Sequence, residues 1–509
     1  MKYFCITALV FIMTSCSSVK NHNEQMLEMI SPENLREDVD FTYSKLQQLH
    51  PKLYWYISKE QLDFKFDSLK ATINKPLNSV QFYFKLQPII AQIKEGHLSL
   101  KIPSRRLSRK EIKTLKNKKG LFGRFEYRIE NNHLYFTENK DSIKNIVPGT
   151  ELLEINNEPV SKYIKKYSAL INSDGDNKTF QRYFLSDTFF NFYVAEKGIL
   201  DSAKIKTLYN KEVKLITLKR DVKNEKELAK EKIDSKRTPE KKVNDYVAFS
   251  NSYNRSFRFL DKDSAIAYIK IKSFSGTYSE KFYKQTFSEI KKARSSYLII
   301  DVRDNYGGSL SEINDLYSYL VQKPFVLIKP SQLTSRMSPF RTNYFRKTNP
   351  INYTFKTFAY PGFFFHHLLS VYKGKDGISY YKMKENKPTK PKEDCFKGKI
   401  YVLINGSSFS ASSVFSSKLK NDERAVLVGE ETGGANDGTV AGFYSYQKLP
   451  HSKIDLPIGL LLVQPNINFD EKHRGVFPNI PVTESLQDII DKKDVQLQWI
   501  LNKISADKN

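Results

Sequence analysis

Cysteine is nearly absent: 509 residues hold three, Cys5, Cys16 and Cys395. That excludes a disulfide framework and a four-ligand cysteine site for zinc. Acidic residues are in deficit, 56 against 82 lysines and arginines, a net charge of +26. The surplus favours acidic partners: nucleic acid, anionic lipid, or the carboxylates of peptides and glycans. Yet the basic residues are scattered, with no recognition helix or RNA-binding signature, so no nucleic-acid partner is expected. Phosphate loops ending in Gly-Lys-Ser/Thr are missing, which argues against nucleotide binding. Long apolar runs are missing too. Residues 3–13 are apolar, but a membrane-spanning helix needs about 20 such residues.

What is present is a globular composition. Hydrophobic residues make up 40% and aromatics 13%, too many for a disordered chain. The length suits two to four domains. Lys2 followed by the run 3–13 and then Met13-Thr14-Ser15-Cys16 has the form of a secretory signal, residues 1–15. The small polar residues before Cys16 resemble a bacterial lipobox, in which cleavage exposes the cysteine to acylation. An ordinary signal with a chance cysteine is the plainer alternative. The lipobox reading implies a lipid on Cys16, a tether over 16–30, and a place in the bacterial cell envelope, outside the cytoplasm.

Apolar spacing divides the rest. Ser31-Pro32-Glu33 reads as a helix cap and first turn, and helices follow to about residue 94. His97–Ile102 alternates as a strand. Residues 31–115 thus form a helical module. Residues 116–220 change to short strands. Within them, Pro148-Gly149-Thr150-Glu151-Leu152-Leu153-Glu154-Ile155-Asn156-Asn157-Glu158-Pro159-Val160 reads as turn, strand, turn and helix start. This resembles a segment of PDZ domains, which bind an extended peptide as an added strand. Residues 221–262 are a charged linker; 13 of the 20 residues from 223 to 242 are charged. From 263 to 509, strands and helices alternate. The aromatic-rich stretch 321–398 interrupts that order as an insertion, either a lid or substrate wall, or a packed elaboration.

Chemistry concentrates at Asn405-Gly406-Ser407-Ser408-Phe409-Ser410-Ala411-Ser412-Ser413, between a buried strand and a helix. A serine at a helix N-terminus meets unpaired N–H groups that favour an oxyanion. Serine is also a common helix cap, which explains one of these residues in any case. The run is not a Gly-x-Ser-x-Gly elbow, because Ser410 stands where the second glycine would be. Among the histidines, His50 reads as structural. The adjacent His366 and His367 lack carboxylate partners and make a poor metal site. No metal or cofactor is expected.

In order and spacing, these segments resemble the serine-peptidase family of the tail-specific processing peptidases and the tricorn protease core. Asp301-Val302-Arg303-Asp304-Asn305-Tyr306-Gly307-Gly308 is similar to its Asp-Leu-Arg-x-Asn-x-Gly-Gly turn. Ser408-Phe409-Ser410-Ala411-Ser412-Ser413 is similar to its nucleophile segment, with Ser410 in the nucleophile's place. Gly429–Gly434 and Gly475-Val476-Phe477-Pro478-Asn479 resemble two later blocks. The processing peptidases use a lysine about 25 residues after the serine. Here that count lands on Ala435, so the resemblance leans to the tricorn-like branch, whose base is a histidine.

The resemblance implies an α/β multidomain fold: a helical module, a PDZ-like β-rich module and a crotonase-like core. It implies a lipid-anchored serine endopeptidase acting on peptides or proteins. Ser410 would be the nucleophile and His97 the base, with Ala411, Gly308 and Gly307 forming the oxyanion hole. Glu471 would orient His97, with Asp470 as fallback. Gly96 stands where the branch has serine, and Lys472 where it has the orienting glutamate. These departures leave room for an inactive relative that binds peptides or glycans.

Overall fold

The computed structural model describes residues 18–141, 143, 145–223, 245–247, 252–275, 278–346, 350–468 and 473–508. The signal segment, Cys16, most of the charged stretch 223–242, Asp470 and Glu471 lie outside the described residues.

Among the described residues, five helices come first: α1 (Val19–Leu27), α2 (Pro32–Leu49), α3 (Lys59–Ala71), α4 (Ser79–Ala91) and α5 (Arg109–Lys116). The Ser31 side chain caps α2 by accepting from the Asn34 N–H, with Pro32 in the first turn. Reciprocal capping boxes start α3 (Ser58 with Gln61) and α4 (Asn78 with Gln81), each satisfying two otherwise orphaned donors. Their apolar stripes, including Leu35, Val39, Leu62, Phe66, Phe82 and Leu86, are buried.

His97–Ile102 does not form the expected strand. Its N–H groups go elsewhere: Leu98 to Glu95 C=O at 3.0 Å and Lys101 to Asp455 C=O at 2.8 Å, and Leu100 to Gln87 Oε1 at 2.9 Å. No ladder forms, and His97 sits on a tight turn.

The next module holds β1 (Phe125–Glu130), β2 (His133–Asn139), β3 (Glu151–Ile155), β4 (Glu158–Pro159), α6 (Val160–Ser168), α7 (Thr179–Lys197), β5 (Ser202–Tyr209) and β6 (Glu212–Lys219). Its sheet order is β1-β2-β3-β5-β6, with β4 paired to β3. Asn131 and Asn132 join β1 to β2 with φ of +49° and +66°, a turn asparagine tolerates well. The segment 148–160 forms turn, strand, turn and helix, as read from its residues. This module and the helices share one hydrophobic core. That core also takes in Phe409, Leu456, Ile458 and Leu460 from far along the chain.

The remaining elements are β7 (Tyr246–Val247), β8 (Ser252–Tyr253), β9 (Arg255–Phe259), β10 (Ile266–Ile271), α8 (Ser279–Ala293), β11 (Tyr297–Asp301), α9 (Leu310–Ser318), β12 (Ser331–Leu333), α10 (Pro350–Ser370), β13 (Val371–Lys373), β14 (Ser379–Tyr381), β15 (Lys399–Ile404), α11 (Ala411–Asn421), β16 (Val426–Gly429), β17 (Thr439–Lys448), β18 (Asp455–Val463), β19 (Ile480–Pro481), α12 (Leu486–Ile490) and α13 (Val495–Lys508). The central sheet runs β19-β16-β15-β11-β10-β9. It is parallel except where β9 meets β10. Both faces are covered, as a parallel sheet requires. Ile269, Ile300 and Val402 pack with Tyr283, Ile313 and Phe415 from α8, α9 and α11. Tyr268, Ile299 and Tyr401 pack with Ile500 and Ile504 of α13 on the other face.

The insertion 321–398 is not only a wall. It supplies β12, β13 and β14 to a third sheet, ordered β13-β14-β12-β18-β17. Through Gln332 of β12, opposite Leu462, it is paired with β18, which follows the serine segment in sequence.

Candidate active site

At the end of β15 the chain turns through Asn405–Ser410 into α11. Asn405 organises the turn: its Oδ1 accepts from the N–H groups of Ser407 and Asp304, both at 3.1 Å. The Ser408 hydroxyl donates to Val302 C=O at 2.8 Å. Asn305 C=O accepts from the Phe409 N–H at 3.0 Å and the Ser412 hydroxyl at 2.8 Å. The Asp301–Gly308 turn and the serine loop are thereby one unit.

Ser410 occupies φ +55°, ψ −118°, a conformation L-residues rarely hold without surrounding constraint. It precedes α11, yet its side chain caps no backbone N–H. Its Oγ lies instead 3.0 Å from His97 Nε2. The cap explanation therefore fails for Ser410.

Two N–H groups near Ser410 donate to no protein acceptor among the described residues: Ala411, at the start of α11, and Gly308. Both are suited to hold a negative oxygen. Gly307 does not belong with them. Its N–H donates to Asn305 Oδ1 at 2.9 Å, because the asparagine side chain closes its own turn. Gly307 matters for its missing Cβ: at φ +103°, one would stand 2.7 Å from Ser410 Cβ and 2.8 Å from the Ala411 nitrogen.

His97 is held against the Phe409 ring, centroids 4.8 Å apart. Its Nδ1 is 2.9 Å from Thr439 Oγ1. The same Oγ1 lies 2.9 Å from Glu95 Oε1 and 3.3 Å from Asp174 Oδ1. Gly96 N–H donates to Asp174 Oδ1 at 2.6 Å. Burial pushes Glu95 up to about 7 and Asp174 well above the usual carboxylate range; for Asp174 the neighbouring Glu95 adds to the effect. Burial lowers His97, with Asp174 opposing in part. The imidazole is thus neutral at rest, as a proton acceptor must be.

Glu95, His97 and Asp174 bring ligand-type atoms within 4.8 Å of one another. The Thr439 hydroxyl lies within hydrogen-bond distance of all three. The cluster reads as a hydrogen-bond network rather than a metal set. Gly96 explains itself as well. A Cβ there would stand 2.6 Å from the Phe409 ring and 2.9 Å from Asp174 Oδ1, so the serine of the related motif would not fit.

The expected orienters Glu471 and Asp470 lie outside the described residues. Lys418 is committed to Asp422 at 2.9 Å. Ser413, in place of a glutamate, donates to Ser408 C=O at 3.0 Å and accepts from the Gly434 N–H at 3.2 Å. In the Gly429–Gly434 block, Glu430 accepts two bonds from Arg182 and one from Tyr183. Glu431 accepts from Arg474 and the Gly475 N–H. These acids join the block to α7 and to the Gly-Val-x-Pro segment. His50 is buried and pushed down to about 3, and His367 bonds the Tyr381 hydroxyl at 2.8 Å.

Sequence reasoning missed Thr439, Glu95 and Asp174. Glu95, two residues before His97, could have been noticed. Thr439 and Asp174 are 342 and 77 positions from His97 and carry no local motif.

Residues 265–482 match the sequence model of peptidase family S41. No curated protein matches the chain. Among solved structures, mature CPAF shares 16% identity at a TM-score of 0.59, covering 92% of this chain and 95% of that one. Mature CPAF complexed with lactacystin gives 16% and 0.61, covering 93% and 98%. At this identity the likeness concerns the fold, and it extends over the helical and β-rich modules as well as the core. The chain therefore carries a peptidase family S41 domain over residues 265–482 and is a serine-type peptidase.

Proposed function

We propose that the protein is a lipid-anchored endopeptidase of the cell envelope, with Ser410 as nucleophile and His97 as general base. The observation that carries the catalytic part is the 3.0 Å contact between Ser410 Oγ and His97 Nε2, at a serine held with positive φ. A neutral hydroxyl attacks poorly, so a base must take its proton. In the reading offered here, Oγ attacks the scissile carbonyl carbon while its proton passes to Nε2. The carbonyl oxygen becomes an oxyanion facing the Ala411 and Gly308 N–H groups. The imidazolium returns that proton to the departing amine as the C–N bond breaks. Water, deprotonated by the same imidazole, then cleaves the acyl-serine ester.

The substrate is an extended peptide or protein segment. In support, the β-rich sheet ends in the edge strands β1 and β6, and much of β6 is exposed. An edge can take a peptide as a further strand. The lipid belongs on Cys16. Supporting this are the short apolar run, the lipobox-like residues, and the finding that no described helix is long and apolar enough to cross a membrane.

Labelling with a fluorophosphonate serine probe tests the site. The wild type should label, Ser410→Ala should lose the label altogether, and His97→Ala should lose about 10²–10⁴ of the labelling rate. In peptide turnover both single variants should fall severely, and the double variant should be little worse than either. Undiminished labelling of His97→Ala would remove it as the base. Mass spectrometry of the membrane fraction should find Cys16 acylated at the mature N-terminus, and Cys16→Ser should release the protein.

A further inference from the structure

We infer that Thr439 is the positioning residue of His97, and that Glu95 and Asp174, sharing one negative charge, are the acid behind it. The inference rests on the Ser410–His97 reading above. It names a third member of the site drawn from neither expected residue, Glu471 or Asp470.

The argument starts from proton counting. Among the described residues no carboxylate touches His97: the nearest, Glu95 Oε1, is 3.8 Å from Nδ1. What touches Nδ1 is the Thr439 hydroxyl at 2.9 Å. A hydroxyl has one proton to donate and lone pairs to accept with. Both its other neighbours are carboxyl oxygens, Glu95 at 2.9 Å and Asp174 at 3.3 Å. The Thr439 proton therefore points to a carboxylate, and its lone pair accepts the Nδ1 proton. That fixes the tautomer: Nδ1 carries hydrogen and Nε2 is bare toward Ser410. The reverse orientation would put hydrogen on Nε2 and leave no base.

The two carboxyls divide one charge between them. Both are buried, and their N–H donors are few. Glu95 Oε1 accepts from Val440 at 3.1 Å; Asp174 accepts from Gly96 and from Ala435 at 3.3 Å. Glu95 Oε2 has no hydrogen-bond partner among the described residues. Two anions so placed would repel, so one carboxyl keeps a proton. Burial, with the neighbouring Glu95 adding to it, raises Asp174 well above the usual carboxylate range. Burial pushes Glu95 up to about 7, so the pair takes up its single charge near neutrality. The other titratable groups facing the pair among the described residues are His97, Tyr56 and Tyr444. Among these, only His97 gains positive charge in the reaction.

When Nε2 takes the serine proton, the imidazolium is balanced through Thr439 by the Glu95 carboxylate. Below the ionisation of Glu95 the pair is uncharged and that balance is lost. Activity should therefore fall as pH drops through about 7, the value to which burial pushes Glu95. The limb belongs to the carboxyl pair. The imidazole, lowered by burial, is already neutral there.

The test is the fluorophosphonate labelling rate of Ser410 as a function of pH, on the full chain. Thr439→Val should slow labelling by about 10²-fold, within the range a misplaced base costs, and Thr439→Ser should restore it to within a few-fold. The serine variant guards against a folding defect, since it removes only a methyl group. Glu95→Gln keeps an acceptor for Thr439 but no charge; it should lower the rate and abolish the limb near pH 7. Thr439→Val labelled at the wild-type rate would overturn the positioning role. Glu95→Gln with the limb unmoved would overturn the shared-charge role. A wild type that never labels would instead strike down the Ser410–His97 reading, and this inference with it.

Discussion

Gly307 carries the tightest steric demand beside Ser410. Its missing Cβ lets the Asp301–Gly308 turn close on the serine, and its φ of +103° is one that other residues avoid. Gly307→Ala should therefore damage chemistry first. A methyl 2.7 Å from Ser410 Cβ must push the serine or the Ala411 N–H aside. Labelling and peptide turnover should fall by at least about 10²-fold, as for loss of one oxyanion donor, while circular dichroism keeps the wild-type spectrum. At this scale the sequence was partly legible. Ser410 and His97, which meet at 3.0 Å, both stand in segments that resemble motifs. For Gly307 and Gly308, a glycine pair signals close approach but not which N–H stays free, and the Gly307 N–H is taken by Asn305 Oδ1. Thr439 and Asp174 were invisible, since a hydroxyl and a buried acid act there only by meeting in space.

Elements are locked together by a few buried charged groups. Arg303 is the clearest. It donates to Asp301 through Nε at 3.0 Å and Nη2 at 2.7 Å, and to both oxygens of Asp494 at 2.8 and 2.7 Å. It thus binds the end of β11, which leads into the glycine turn, to the residue just before α13. Asp301 is buried and is held below the usual carboxylate range, with Lys270 and Arg303 lowering it against burial. Arg303→Met should leave that carboxylate short of its main partner. Breaking a buried pair by removing one member costs on the order of 3 kcal/mol, which urea unfolding should detect. The Asp-x-Arg pair resembled a family motif in sequence, but its structural task was not legible, because Asp494 lies 191 positions beyond Arg303. The misread strand at His97–Ile102 has a similar cause. Alternating apolar residues describe any segment with one side buried, and only the destination of each N–H tells strand from extended loop.

Over the whole molecule, the alternating strands and helices after residue 263 were legible as an α/β core, because buried parallel strands need continuous apolar runs. The joining of the helical and β-rich modules into one core was not, since each had an apolar pattern sufficient for a core of its own. Phe409 shows how that union reaches the site. It is buried in the N-terminal core, stacks on Phe180 at 4.6 Å and supports His97. The residue beside the serine is thus a structural member of the half of the chain that brings the histidine.

The 313 positions between His97 and Ser410 also set a timetable. Contacts that distant form late, after the loop-closing entropy of everything between them has been met. A nascent chain still on the ribosome holds a histidine without its serine, and for most of synthesis it is no protease at all. In refolding from denaturant, far-UV ellipticity should return before probe labelling, with a measurable lag between the two. The enzyme would then be harmless to its own unfinished copies, with the order of assembly itself serving as the safeguard.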